Sequence, residues 1–296
     1  MELEVKGKML FDEPLSVHTS LHLGGKARYF LMADDADDIS EAVSFAKEEE
    51  LPSFVMGKGS NILFSDDGFS GIIVCTENIK KVDVYNNKLT AQAGASLSDA
   101  INIAKEYSLS GFESLSGIPG SVGGAAVMNA GAFGCEIGNH IKSVKVLRDG
   151  EEVKLTDIQF DYRQSSLSDE VVLEVEFSLT EREKREIEDK IKEISTLRKE
   201  RQPVFSKEVG TCGSVFKNPE GLAAGELIEK SGCKGMRIGG ARVSEKHCNY
   251  FLTSPDATSR DFIELIRVVR NEVERRLGIA LKLEVKVIGK EKEVDI

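Results

Sequence analysis

GIPGSVGGAAVMNAGAFG, residues 117–134, decides how the rest of the chain is read. Glycines stand at 117, 120, 123, 124, 131 and 134, most other positions are small, and none is charged. A solvent loop would carry polar side chains. A plain core helix would avoid this much glycine, because each costs roughly 1 kcal/mol against alanine. The stretch therefore predicts a backbone that runs close to something large, its peptide N–H groups open to a ligand. A glycine-rich turn buried against another element is the competing explanation. The spacing is not GxGxxG and no clean strand leads into it, so a Rossmann dinucleotide fingerprint fits poorly.

Upstream, GKGSN at 57–61 is a second glycine-bearing turn, and it follows a buried strand read over 51–56. Its peptide donors and the Ser60 and Asn61 side chains suit a phosphate or a hydrogen-bonding ring; a bare glycine turn explains it equally well. Paired with 117–134, it predicts one cofactor gripped by two glycine loops from two subdomains. Around these loops the hydrophobic periodicity gives two small units. The first has a strand into Ala33, a helix over 36–49 and strands at 51–56, 62–64 and 71–74. The second has a hairpin, 79–84 with 88–93, around Asn86-Asn87, a helix over 98–107, a hairpin around Asp149-Gly150 and a strand over 171–179. Residues 1–23 read as a lead-in. A charged helix over 181–200, closed by Pro203, reads as a connector. Beyond it come a helix over 223–231, strands at 238–243 and 250–253, and a helix from Thr258 or Ser259 to Leu277. The last element is a strand over 281–288, with Lys282, Glu284 and Lys286 on its polar face.

The 296 residues suffice for two domains or more. Fifty acidic against thirty-nine basic residues give a formal charge of -11, which argues against a nucleic-acid partner. The first residues, MELEVKGKML, lack an apolar signal core and no stretch approaches the length of a membrane span, so the expectation is a cytoplasmic chain without membrane insertion. The five cysteines form no CxxC pair, which argues against a structural zinc site or a disulfide framework.

Several polar clusters remain. Tyr162-Arg163-Gln164-Ser165-Ser166 lies between two strand-like segments. Gly213-Ser214-Val215-Phe216-Lys217-Asn218-Pro219 sets a hydroxyl, a base and an amide around two apolar residues. Gly239-Gly240-Ala241-Arg242 and His247-Cys248-Asn249 follow. Lys217, Lys234, Arg237 and Arg242 supply positive charge that suits a phosphorylated substrate. Together GKGSNIL (57–63), the 117–134 stretch, YRQS (162–165), GSVFKNP (213–219), AGELIEKSGCKGMRIGGARVSEKHCNY (224–250) and LEVKVIG (283–289) resemble the UDP-N-acetylenolpyruvoylglucosamine reductase family, in family order over nearly the whole chain.

The resemblance implies an α+β fold: a two-subdomain FAD-binding part of the vanillyl-alcohol-oxidase type and a C-terminal α+β substrate-binding domain. The divisions expected are 1–75, 76–183, a connector at 184–203, and 204–296. It implies NADPH-dependent reduction of UDP-N-acetylglucosamine-enolpyruvate to UDP-N-acetylmuramate by way of FAD, in peptidoglycan precursor synthesis. The cofactor contacts expected are Gly57, Lys58, Gly59, Ser60, Asn61, Ile62, Gly117, Pro119, Gly120, Ser121, Gly123, Gly124, Asn129 and Gly131. Ser214 matches the residue that protonates C2, with Arg163 and Glu284 beside the substrate carboxylate, where charge spreads as an enolate. Glu284 is expected to be protonated at that moment. Tyr162, Lys217, Asn218, Arg242 and His247 are the expected substrate contacts, and no metal is expected. Little room remains between 163 and 171 for the tyrosine-bearing insertion of the longer family class, which points to the shorter one. None of His18, His22 or His140 sits in an attachment motif, so noncovalent FAD is expected. The alternatives are another flavin enzyme of the same superfold and a non-enzymatic nucleotide-sugar binder.

Overall fold

The structure is a computed structural model that describes residues 4–203, 206, 208–294 and 296. The chain divides into two compact units. One holds Met1–Leu10, Phe30–Lys58 and Ile72–Arg198; the other holds Phe11–Tyr29, Gly59–Gly71 and Lys199–Ile296.

Helix α1 (Ala36–Glu48) starts where the Asp35 carboxylate accepts the Asp38 N–H, and it buries Ile39, Ala42 and Ala46. The neighbouring sheet runs in the order Lys8–Pro14, Lys26–Met32, Phe69–Cys75, Ser53–Met56. Its last pair is parallel, with Ser53 opposite Ile72 and Met56 opposite Cys75. The segment read as a lead-in thus contains a strand at the sheet's edge. KMLFDEP has no buried residue, so it carries no inside-outside alternation to read.

A five-stranded antiparallel sheet follows, in the order Glu151–Leu155, Ile141–Arg148, Val171–Ser178, Lys88–Gln92, Val82–Tyr85. Helices α2 (Leu97–Glu106) and α3 (Val122–Val127) pack on it, capped by the hydroxyls of Ser96 and Ser121. Leu89, Ala91, Val144, Val146, Val175 and Phe177 meet Ala100, Ile101, Val122 and Ala126 in one buried cluster. The hairpins turn where expected: Asn86, Asp149 and Gly150 all take left-handed backbone angles. Helix α4 (Lys184–Arg201) buries only Ile187 and Ile194.

The second unit is built on α5 (Ala224–Lys230) and α6 (Ser259–Leu277). The expected strand over 238–243 is a hairpin instead: Arg237–Ile238 pairs with Ala241–Val243 across Gly239-Gly240. The expected strand over 281–288 is regular only at Lys286–Ile288, which runs parallel to Ile62–Phe64. Helix α6 begins with a capping box between Thr258 and Asp261, and the Asp66 carboxylate accepts the N–H groups of Ser259 and Arg260. It buries Phe262, Leu265, Ile266, Val269 and Val273, each worth about 1.5–3 kcal/mol. Phe262→Ala alone would cost about 3–5 kcal/mol. Among the described residues no helix is long and apolar enough to cross a membrane.

Candidate active site

In the first unit the two glycine turns meet. A Cβ on Gly57 would lie 2.1 Å from Ser121 Oγ, so no larger residue fits there. That hydroxyl is buried and accepts the Gly124 N–H at 3.3 Å. Behind it, Val122 and Gly123 donate their N–H groups to the carbonyls of Ala95 and Ala93. The adjacent glycines differ. A Cβ on Gly123 would meet Ala93 Cβ at 2.8 Å, whereas one on Gly124 would meet only Ser121 Oγ at 3.3 Å. Gly123 is thus explained by close packing on the sheet. Gly124 is exposed, and its flank is open. Gly117, Pro119 and Lys58 are exposed as well; Gly120 and Gly131 are half-buried. The aliphatic part of Arg198, on α4, lies against Gly117, and its guanidinium sits 5.3 Å over the Phe133 ring.

The Asn129 side chain is occupied within the protein. It is 1% exposed. Its carboxamide donates to Glu136 Oε2 and to the Asp161 carbonyl, and accepts from the Gly138 N–H. With both N–H groups spent, the side chain has no donor left for a ligand.

Arg163 is the second central residue of the two-residue turn between Phe160–Asp161 and Gln164–Ser165. Its φ of 55° is one a glycine would normally take. That conformation costs an L side chain roughly 1 kcal/mol or more, so Arg163 is a strained residue. Nη2 donates to the Gly131 carbonyl at 2.7 Å, Nη1 lies 3.6 Å from Glu136 Oε1, and the guanidinium carbon stands 4.8 Å over the Tyr162 ring.

The second unit brings Ser214 and Glu284 together. The Val215 carbonyl accepts the Glu284 N–H at 2.8 Å, Phe216 bridges Leu283, and Lys217 donates its N–H to the Lys282 carbonyl. Ser214 itself bridges Tyr250. Two features fix these segments. Asn249, buried, accepts the Phe216 N–H and donates to the Phe216 carbonyl. Asn61 donates its side-chain amide to the Glu284 carbonyl at 2.9 Å, and its own carbonyl accepts the Lys286 N–H. Asn249 stands in the polar cluster His247-Cys248-Asn249 read from the sequence, where no role of its own was assigned to it. Val215 and Phe216 are buried while Ser214, Lys217 and Glu284 are half-buried.

The other expected contacts of this unit are placed as follows. Gly59 has φ 57°, and a Cβ there would strike the His18 carbonyl at 2.1 Å. The Ser60 carbonyl accepts the Ser20 hydroxyl, and Ile62 starts the strand paired with Lys286–Ile288. Asn218 accepts the Ala224 N–H where α5 begins, and Arg242 is exposed opposite Arg237. His247 stacks on Tyr250 at 4.8 Å, and its buried Nδ1 has no hydrogen-bond partner; burial pushes its pKa down. Burial likewise pushes the Cys75 and Cys212 thiols up to about 12, which leaves both without thiolate chemistry near neutrality. Among the described residues no group of three His, Cys, Asp or Glu side chains is arranged to hold a metal ion.

Two family models match successive parts of the chain. Residues 27–156 match the family described as "FAD binding domain", and residues 202–288 match "UDP-N-acetylenolpyruvoylglucosamine reductase, C-terminal domain". The UDP-N-acetylenolpyruvoylglucosamine reductase of Exiguobacterium sibiricum is 41% identical over 97% of this chain and 95% of that protein. The protein of the same name from Caldanaerobacter subterraneus subsp. tengcongensis is 38% identical over 97% and 96%. The crystal structure of UDP-N-acetylenolpyruvylglucosamine reductase from Thermus caldophilus superposes with a TM-score of 0.81 at 32% identity, covering 96% of this chain and 99% of that one. At these identities and coverages, the chain belongs to the UDP-N-acetylenolpyruvoylglucosamine reductase family.

Proposed function

We propose that the chain reduces the enolpyruvyl ether of UDP-N-acetylglucosamine-enolpyruvate to the lactyl ether of UDP-N-acetylmuramate, with NADPH as reductant, in the cytoplasmic steps of peptidoglycan precursor synthesis. The observation that carries this reading is the hydrogen bond from Glu284 N to the Val215 carbonyl. It sets the Ser214 hydroxyl and the Glu284 carboxyl on adjacent segments, in a chain that shares about two fifths of its sequence with named relatives.

The open flank of Gly124, beside the close contact of Gly57 with Ser121, fits a cofactor that lies against bare backbone. Gly57, Lys58, Ser121 and Gly124, all in the first unit, would hold FAD. When bound, FAD supplies hydride transfer between NADPH and the enolpyruvyl group. The chain's own residues handle charge and proton. Ser214 delivers the proton to C2, while Arg163 and Glu284 stabilise the enolate. Donors fixed before the reaction are effective because they need no reorganisation when charge develops, and both segments here are hydrogen-bonded in place. Lys217 and Arg242 hold the diphosphate, with Tyr162, Asn218 and His247 as further substrate contacts.

The test is anaerobic. NADPH should bleach the flavin absorbance of the purified holoenzyme, and the enolpyruvyl substrate should restore it; reduced protein that the substrate does not reoxidise would defeat the proposal. Acid precipitation should leave intact FAD in the supernatant. Colour that stays with the precipitated chain would refute noncovalent binding.

A further inference from the structure

The turn that carries Arg163 is braced by Asn129 and Glu136. The Asn129 amide donates to the Asp161 carbonyl at 2.9 Å, at the entry to the turn, and to Glu136 Oε2 at 2.8 Å. The other Glu136 oxygen faces Arg163 Nη1 at 3.6 Å. One buried amide thus fixes both the backbone below the guanidinium and the carboxylate beside it. Asn129 is itself in a left-handed conformation, φ 43°, and its remaining acceptor is tied to the Gly138 N–H. The brace is therefore rigid at its base.

We propose that Glu136 and Asn129 are positioning residues that hold the Arg163 guanidinium in its working orientation, a reading that rests on Arg163 as the group that stabilises the enolate carboxylate. A guanidinium on a flexible stem samples many orientations. Here the Gly131 carbonyl anchors Nη2 and the Glu136 carboxylate meets Nη1. Glutamate suits this place because two donors reach it from two directions, an amide N–H and a guanidinium. A carboxylate can accept both. Glutamine offers a single acceptor oxygen, and its NH2 would face a donor, so one of the two contacts must fail. A surface ion pair has no need of such a brace.

The test compares the holoenzyme with Glu136→Gln, Arg163→Ala and the double variant. Stopped-flow absorbance separates flavin reduction by NADPH from reoxidation by saturating enolpyruvyl substrate. Glu136→Gln should slow reoxidation about ten- to a hundredfold, the usual cost of losing an orienting partner. Reduction by NADPH should stay within about twofold, and the Glu136→Gln loss should vanish once Arg163 is alanine, since coupled residues are non-additive. Equal slowing of both half-reactions, or a loss that persists undiminished beside Arg163→Ala, would show a merely structural role and overturn the proposal. So would normal reoxidation in Glu136→Gln. If Arg163→Ala itself reoxidises normally, the reading of Arg163 fails and the brace with it. If Arg163→Ala is slow while Glu136→Gln is not, only the brace fails. Should Glu136→Gln not fold, Glu136→Asp, which keeps the charge but retracts it by one methylene, goes through the same cycle with the same expectations.

Discussion

Replacing Gly123 and Gly124 one at a time separates packing from ligand at the centre of the 117–134 stretch. A Cβ on Gly123 would sit 2.8 Å from Ala93 Cβ and 3.2 Å from Ala93 Cα and O. The same Ala93 carbonyl accepts the Gly123 N–H at 2.9 Å, so neither backbone can retreat without loosening the start of α3. Overpacking of this kind costs about 1–3 kcal/mol. The helix propensity gained on leaving glycine returns roughly 1 kcal/mol at most. With the full propensity return, Gly123→Ala should therefore destabilise the flavin-free protein by up to about 2 kcal/mol, a fall of as much as roughly 8 °C in midpoint for a domain of this size. Gly124→Ala meets only a hydroxyl oxygen at 3.3 Å, so it should leave the flavin-free midpoint unchanged or raise it by a few degrees. The order reverses for the cofactor. A saturating ligand at a hundred times its dissociation constant adds about 2.7 kcal/mol to stability. Gly124→Val, whose side chain fills the open flank, should lose that increment. Thermal melts with and without FAD, together with a flavin fluorescence titration, read both effects. A Gly124→Val protein that takes up flavin like the parent would refute the ligand argument, and an unchanged flavin-free midpoint for Gly123→Ala would refute the packing argument.

Ser214→Ala should bind FAD and be reduced by NADPH at the parent rate, yet reoxidise about 10²–10⁴-fold more slowly with the enolpyruvyl substrate; fast reoxidation with impaired reduction would move Ser214 to the nicotinamide side of the reaction. Arg163→Gly should hold or raise the thermal midpoint, because glycine takes the φ of 55° without the roughly 1 kcal/mol or more that a side chain pays there, while reoxidation falls steeply. A clear drop in midpoint would mean that the arginine is kept for the fold. Burial holds the pKa of His140 and of His247 below the ordinary 6.5. The unfolded chain then binds a proton first as pH falls, so their contribution is intact above pH 6.5 and is lost as pH drops from there towards the depressed folded values. Midpoints measured against pH should decline across that window, and His140→Gln should flatten the decline; an equal slope in the variant would remove His140 from the account.

What could be read from the sequence, and what could not, follows the range of the interactions. Helices α1 and α6 carry their caps and buried stripes within a few residues, and the hairpins at Asn86-Asn87 and Asp149-Gly150 carry their own turn chemistry. Those features were legible because cause and effect lie in one window. The strand Lys8–Pro14 and the irregular course of 281–285 were not, since neighbours distant in sequence define them. The same limit explains the asparagines. In a glycine-rich turn Asn61 and Asn129 read as ligand contacts, since a short amide near open backbone suits a phosphate or a ring. Their amides donate to the Glu284 carbonyl, 223 residues away, and to the Asp161 carbonyl, 32 residues away. Asn249 likewise laces Phe216, 33 residues away, beside Ser214. Each of the three holds the backbone at or within two residues of one of Arg163, Ser214 and Glu284. The motif GKGSN, proposed to contact the cofactor, thus also fixes the main chain of Glu284. Loss of activity on replacing Asn61 would therefore be a displacement of Glu284 before it was a loss of flavin, and flavin content measured beside turnover is what tells the two apart.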